Sequence, residues 1–356
     1  MRVLTIGSDR TVLDPASRAG KRVRAYAQCF EASHIIVFSR ASQGLSEVKD
    51  GSLEVYPTNS LSRLLYVTDA VRIGKKLPEP SVISVQDPFE SGLVGLMLAK
   101  YFAVPLHVQI HTDLFSPAFR RSILNKVRMH IARRVLSYAS GIRVVSERTK
   151  RDVLEHFNVN APISVLPISV DIERFKNAQA PVELTARFSQ YKTVCLVVSR
   201  LEAEKNVSLA VDAFARAHIP DSCLIILGEG SERRSLERLA KERGVQSSVF
   251  FEGDTDSAPY YQLADIVLVP SEYEGYGMVI IEALAAGVPV LSTDVGVARE
   301  AGAAVVAQQD FSIALQTWST EGPRTGVLHS YPYQTEKEYI QRYCEDVIDT
   351  ARTTKA

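Results

Sequence analysis

Short runs of β-branched and aliphatic residues alternate with helical patterns along most of the chain, and this alternation limits the fold more than any other feature. In the first half the runs are RVLTI (2–6), HIIVF (34–38), LEVYP (53–57), SVISV (81–85), PLHVQI (105–110) and GIRVV (141–145). In the second half they are VCLVVS (194–199), CLIILG (223–228), SVFFEG (248–253), DIVLVP (265–270) and VPVLST (288–293). Helical stretches fall between them, such as VSLAVDAFARA (207–217) and SERRSLERLAKERG (231–244). Strands that alternate with helices line up in parallel sheets covered on both faces. The 356 residues suit two domains of roughly 150–200 residues each. The expected fold is therefore α/β, with two Rossmann-like doubly wound domains at 1–172 and 173–333. A last helical stretch, 334–356, follows a turn-rich segment at Tyr331–Tyr333 and can pack back onto the first domain.

Hydrophobic residues make up 46% of the chain, enough for two cores. Charge divides unevenly. Residues 1–172 carry 23 Lys and Arg against 15 Asp and Glu, whereas 173–356 carry 18 against 26. Halves of opposite sign suggest different partners. The start, MRVLTIGSD, reads as a strand and not as a signal peptide. No apolar run approaches the 18 or so residues of a membrane span. The four cysteines are scattered, with Cys195 and Cys223 inside apolar runs where the thiol acts as a small buried hydrophobe. The expectation is a reduced, cytoplasmic protein. No Cys-x-x-Cys pair or zinc-like histidine spacing suggests a metal site. No cofactor and no nucleic-acid partner are expected.

The chemistry concentrates at strand ends, where parallel sheets place ligands. In SEYEGYGMVIIEALAAGVPV (271–290), Glu274 lies in the loop after DIVLVP and Glu282 lies on the helix that follows. Gly275 and Gly277 allow close backbone approach at the helix mouth. The first N–H groups of that helix suit an anion. Acids at a helix start are also favoured by the dipole alone. After VCLVVS, the loop SRLEAEKN holds Arg200 and Lys205, with Asn206 as a helix cap. Two cations there can clamp a diphosphate, or be neutralised by Glu202 and Glu204. A third element, Gly228-Glu229-Gly230, follows CLIIL and suits either a nucleotide contact or an ordinary turn.

The order and spacing of these pieces resemble the family 4 glycosyltransferases, retaining enzymes of the two-domain GT-B fold. The resemblance runs from about residue 193 to 300. The family's Glu-x7-Glu motif stands as E274-GYGMVII-E282, and its Arg-x4-Lys motif as R200-LEAE-K205. The run ALAAGVPVLSTDVG (283–296) continues it. The resemblance implies that Glu282 holds the ribose hydroxyls of a nucleotide-sugar and that Glu274 contacts the donor sugar. It implies that backbone groups of Gly275, Tyr276, Gly277 and Met278 meet sugar and phosphate oxygens. Arg200 and Lys205 would neutralise the diphosphate, and Gly228 and Glu229 would approach the donor. His111, after PLHVQI, resembles the family's active-site histidine. The first loop, SDRTVLDPASRAGKRVR (8–24), departs from the family's glycine-rich form, leaving Arg18, Gly20, Lys21 and Arg22 as candidates for phosphate or acceptor contacts. Asp254-Thr255-Asp256 spells a metal-binding pattern of another fold, but the family places this loop near the nucleotide base.

The implied activity is metal-independent transfer of a sugar to an acceptor hydroxyl, in cell-surface glycan or glycolipid synthesis. The partners are a nucleotide-sugar donor and a glycan or lipid-linked acceptor. The alternatives are a nucleotide-sugar epimerase of the same architecture and a silent sugar-nucleotide-binding module. From Leu114 to Ser146 there is no Asp or Glu, while Arg120, Arg121, Lys126, Arg128, Arg133, Arg134 and Arg143 are cationic. This stretch is expected to form a basic helix whose row Phe119, Ile123, Val127 and Ile131 faces the core. Its cations are then available to an anionic membrane surface, giving a peripheral protein.

Overall fold

The computed structural model describes residues 1–120, 122–333 and 335–353. The chain divides into two compact units. The first is Met1–Pro167 with Thr335–Ala356, and the second is Ile168–Gln334. The division falls at Pro167 and not at 172 because the intervening backbone is held by the second unit. There the Val170 N–H donates to the Tyr331 hydroxyl, which in turn donates to the Val170 carbonyl.

The first unit holds one sheet of eight strands: β1 (Arg2–Gly7), β2 (Ala32–Val37), β3 (Val48–Asp50), β4 (Leu53–Pro57), β5 (Val82–Val85), β6 (Leu106–Ile110), β7 (Gly141–Val144) and β8 (Ile163–Val165). Their order is β3-β4-β2-β1-β5-β6-β7-β8. Every pairing is parallel except β3 with β4. Strands β5, β6 and β7 are buried at every position, as in a parallel sheet covered on both faces, although Ser84, His107, Gln109 and Arg143 interrupt their apolar runs. The strands β3 and β8 are short and carry no buried residue between them, which is why no hydrophobic run marks them.

The second unit holds β9 (Thr193–Val198), β10 (Ser222–Leu227), β11 (Val249–Gly253), β12 (Ile266–Val269), β13 (Val290–Ser292) and β14 (Ala304–Val305). The sheet order is β11-β10-β9-β12-β13-β14, all parallel. The chain order reverses beside β9, between β10 and β12. A crevice opens at such a switch point, outside the carboxyl ends of the strands.

Three expectations are corrected. Cys29 and Cys344 are not isolated thiols but form a disulfide across 315 residues of sequence. It fastens the helix Glu336–Arg352 beside the helix Arg18–Ala27, where Tyr26 also stacks on Tyr343. Sequence spacing carries no signal for so distant a pair. The basic stretch is not one helix with a buried row. Pro117–Arg120 is a separate turn, and the main helix runs Ile123–Leu136. Its buried stripe is Met129, Ala132, Val135 and Leu136, whereas Ile123 and Val127 are 79% and 53% exposed. Phe119 does reach the core, stacked on Phe89; Arg121 lies outside the described residues. Finally, Asn206 does occupy the N-cap of the helix Val207–Ala217, but in the left-handed region and with no side-chain bond to the helix backbone among the described residues. Its Oδ1 instead accepts from the Ser208 hydroxyl. Among the described residues no helix is long and apolar enough to cross a membrane.

Candidate active site

The second unit gathers the charged motif residues at the carboxyl ends of β9, β10 and β12. The loop after β9 and the loop after β12 are tied by a backbone bond from Glu272 N–H to the Glu204 carbonyl, 2.8 Å. This brings Lys205 Nζ within 2.7 Å of Glu274 Oε1. The same oxygen accepts from the Ser271 hydroxyl at 2.8 Å. Arg200 is mostly exposed and bonds Glu204 at 2.9 Å. Glu202 accepts from the Ser231 N–H and hydroxyl, and its charge also acts on Arg200.

The helix Met278–Ala285 begins at Gly277, whose φ is +90° and which receives no side-chain cap. Its first N–H groups therefore keep the anion-binding character of an uncapped terminus. The turn is fixed from below. The Tyr276 carbonyl accepts from Val297 N–H, and the Tyr276 ring is buried. A Cβ at Gly296 would lie 2.2 Å from that carbonyl, so only glycine fits there. Gly275, Gly277 and Met278 thus sit at the helix mouth, while the Tyr276 ring points into the core. Glu282 is only 7% exposed, and its Oε2 accepts from the Tyr261 hydroxyl at 2.9 Å. Burial raises its carboxyl pKa, Tyr261 and Arg174 oppose the rise, and Asp256 adds to it.

A cavity of about 360 Å³ opens here. Its walls include Ser199, Arg200, Gly228, Glu229, Asp254, Thr255 and Glu282. The Ser199 hydroxyl is buried and has no hydrogen-bond partner among the described residues. Such an orphan on a cavity wall suits a polar ligand atom; the residue sits just before Arg200 and sequence reasoning passed over it. Gly228 has φ +124°, and a Cβ there would strike the Ser199 carbonyl at 1.9 Å. Glu229 is shared with Arg233. Asp256 bonds Arg174 and caps the Ala258 N–H. Among the described residues no group of three His, Cys, Asp or Glu side chains is disposed to hold a metal ion.

In the first unit His111 follows β6. Its Nε2 lies 3.2 Å from Gln109 Oε1. Burial, then the charges of Arg143 and Arg22 and the neighbouring His107, hold its pKa down to about 3. Arg18 and Lys21 are exposed on the first helix. Gly20 is buried there, and its N–H is taken by the Ser17 hydroxyl at 2.8 Å. A Cβ at Gly20 would meet the Asp14 carbonyl at 1.8 Å, so this glycine serves packing. A second cavity, about 770 Å³, lies beyond β1, β5 and β6. Arg10, Arg63, Thr112, Asp87 and the ion pair of Arg128 with Glu90 supply polar walls, and Phe38, Leu64, Phe89 and Leu124 supply apolar ones.

Comparison with known proteins follows this geometry. A family model described as glycosyl transferases group 1 matches residues 186–306, and one described as glycosyltransferase family 4 matches 18–174. Among curated relatives, an alpha-monoglucosyldiacylglycerol synthase of Streptococcus pneumoniae is 26% identical over 63% of this chain and 54% of its own. A GDP-mannose-dependent alpha-(1-6)-phosphatidylinositol monomannoside mannosyltransferase of Mycobacterium tuberculosis is 33% identical over 49% of each chain. The matches span about half the length of these relatives. Among solved structures, sucrose-phosphate synthase of Thermosynechococcus elongatus superposes with a TM-score of 0.74 at 20% identity, covering 99% of this chain and 98% of that one. HepE of Anabaena, in complex with UDP and glucose, gives 0.71 at 18%, covering 99% and 97%. With both family models matched and the two doubly wound domains of the GT-B fold in place, the chain belongs to the family 4 glycosyltransferases.

Proposed function

We propose that the protein moves a sugar from a nucleotide-sugar to an acceptor hydroxyl with retention of configuration and without a metal. The observation that carries this reading is the Lys205–Glu274 pair at an uncapped helix mouth, beside a cavity walled by Arg200, Gly228 and Glu282. Glu282 is a hydrogen-bond acceptor for ribose hydroxyls. Lys205 and Arg200, with the N–H groups near Met278, neutralise the diphosphate as the glycosidic bond breaks. Donors aimed at developing charge typically contribute on the order of 10²–10³ in rate each. Glu274 is released to the sugar hydroxyls when the diphosphate engages Lys205. The acceptor attacks from the face that the diphosphate leaves, and a diphosphate oxygen takes the acceptor proton.

The acceptor class is a glycolipid or lipid-linked glycan. Two relatives are named for glycolipids, a monoglucosyldiacylglycerol and a phosphatidylinositol monomannoside. The cavity of the first unit sets Arg10, Arg63, Asp87 and an Arg128–Glu90 ion pair beside apolar walls, so an acceptor with a polar head and an apolar body finds a surface for each part. The test is incubation with labelled UDP- and GDP-sugars, with and without lipid acceptors. Acceptor-dependent product with the anomeric configuration of the donor supports the reading. Acceptor-independent conversion of the sugar would establish an epimerase, and binding without any product would establish a silent module.

A further inference from the structure

We propose that Gln109 and Arg143 are positioning residues that hold His111 as the neutral imidazole protonated on Nε2, so that Nδ1 stays an acceptor for a sugar hydroxyl. This rests on the transferase reading for what His111 meets, but the tautomer follows from the first unit alone.

The argument begins with a buried cation. Arg143, on β7, is 2% exposed. A guanidinium only donates hydrogen bonds. Its Nη1 donates to Gln109 Oε1 at 2.9 Å, and its Nη2 donates to the Leu166 carbonyl and the Tyr339 hydroxyl. The rings of Tyr339 and Tyr343 flank it at 5.5 and 5.3 Å. Both tyrosines lie on the terminal helix Glu336–Arg352.

Arg143 thereby fixes the Gln109 amide. The oxygen must face the guanidinium, and the amide nitrogen donates to the Ser84 and Tyr343 hydroxyls. The same oxygen faces His111 Nε2. An oxygen that already accepts from Arg143 can meet that nitrogen only if the nitrogen carries a proton. A neutral histidine with Nε2–H has its lone pair on Nδ1. A second proton, giving imidazolium, is opposed by burial and by two cations. Besides Arg143, the titratable groups around this network are Arg22, Tyr26, His107, Tyr339, Tyr343 and Asp346, the last bonded to His107 at 2.9 Å. The Asp346 carboxylate bonds His107 first, and its charge also acts on Arg143.

The consequence is chemical. An imidazole fixed this way accepts from a hydroxyl and carries no charge beside the sugar. The terminal helix takes part because its tyrosines seat Arg143, and the Cys29–Cys344 bond fastens that helix.

The experiment is nitrogen-15 histidine spectroscopy on the full chain, with His111 assigned by comparison with His111→Gln. The wild-type protein should show the Nε2–H tautomer, unprotonated down to pH 5. Gln109→Glu keeps an acceptor but adds a negative charge, and should move His111 protonation upward into the range above pH 5. Gln109→Leu should mix the two tautomers. Turnover in both variants should fall on the order of tenfold to a hundredfold, as when other partners that orient a histidine are removed. In Gln109→Glu the acid limb of the turnover profile should shift upward with the imidazole. A wild-type His111 protonated on Nδ1, or titrating near 6.5, overturns the proposal and needs no variant to fold. Unchanged tautomer and titration in folded Gln109→Leu and Gln109→Glu proteins also overturn it. If no nucleotide-sugar is bound or turned over, the transferase reading fails while the spectrum still decides the tautomer.

Discussion

Lys205 and Glu274 stand 69 residues apart in the chain, yet their side chains meet at 2.7 Å. Each comes from a loop at the end of a different strand, and both are largely sheltered from solvent, with side chains 14% and 17% exposed. The lysine is therefore already neutralised, and a nucleoside diphosphate must draw it away from the carboxylate. Glu274→Gln should tighten binding of UDP or GDP by about 1 kcal/mol, the upper range for a pair that is not fully buried, and should lower sugar transfer. Lys205→Ala should weaken diphosphate binding by roughly 1.5–3 kcal/mol, as loss of a charge-assisted contact does. Arg200→Ala should do less, because the side chain is 70% exposed and shared with Glu204. Titration calorimetry with the free diphosphates checks all three. Weaker diphosphate binding in Glu274→Gln would refute the competition.

The second glutamate behaves differently because it is buried. Burial raises the Glu282 carboxyl above its ordinary range. The folded state then holds the proton to higher pH than the unfolded chain does. Its contribution to stability is complete below the ordinary glutamate range and is lost as pH rises through the raised value. Glu282→Gln never ionises and escapes that loss. Its melting temperature at pH 7.5 should equal or exceed that of the wild type, with the difference closing in acid. Nucleotide affinity should nevertheless fall, by about 1.5–3 kcal/mol for a charged hydrogen bond. Thermal melts across pH, paired with calorimetry, test both halves. A Gln variant that is less stable at pH 7.5 contradicts the assignment.

The motif residues Arg200, Lys205, Glu274 and Glu282 were legible because each follows a strong apolar run, so the sequence places them at strand ends. Their pairing was not. Which of Glu202, Glu204 and Glu274 would meet each cation depends on how two loops distant in the sequence pack, and a local pattern holds no such information. The same limit hid Gln109 and Arg143. Both lie inside apolar strand runs, and only the terminal helix, contributed from far along the chain, turns them into a polar network. Helix registers near residue 207 and residue 233 followed from periodicity. The exposed row at Ile123 and Val127 did not, because periodicity finds an apolar face without saying what lies against it.

Chelation separates the metal-free mechanism from its alternative. Asp256 is engaged by Arg174 and by the Ala258 N–H, while Asp254 lines the cavity. Activity should survive EDTA nearly unchanged. Complete loss, restored by manganese or magnesium, would make Asp254 and Asp256 ligands after all.

The disulfide ties residues 29 and 344 and closes nearly the whole chain into a loop. Native disulfides typically stabilise by about 2–4 kcal/mol. Cys29→Ser, or a reductant, should lower the resistance of the first unit to urea by that order. It should leave nucleotide binding by the second unit unchanged, since the bond lies wholly within the first unit. Thiol titration in urea supplies the direct check. Two thiols that react in urea without reductant would come from Cys195 and Cys223; four would show that the bond does not form.

The basic helix Ile123–Leu136 gives the last prediction, in a form that differs from a purely electrostatic one. Ile123, Leu124 and Val127 are exposed on its first turns, together with Lys126, and Leu124 also lines the cavity beyond β1, β5 and β6. Leu64, 91% exposed, lines the same cavity with Arg63, and Leu61 nearby in the chain is exposed too. Apolar residues and cations thus rim one opening, the arrangement of a surface that settles into a headgroup layer. Each basic side chain near an anionic leaflet contributes about 1 kcal/mol, falling away over a Debye length of about 8 Å. A buried Leu or Ile side chain adds roughly 1.5–3 kcal/mol that salt does not screen. Co-sedimentation with anionic vesicles should therefore fall with salt but not vanish. Arg120→Gln with Lys126→Gln should remove the salt-dependent part. Leu64→Ser with Leu124→Ser should remove the remainder, and should raise the KM for a lipid acceptor without changing nucleotide binding. Retention of full vesicle binding in the Leu64→Ser, Leu124→Ser protein would show that the apolar rim does not enter the membrane, and no binding by the wild type at low salt would remove the peripheral reading altogether.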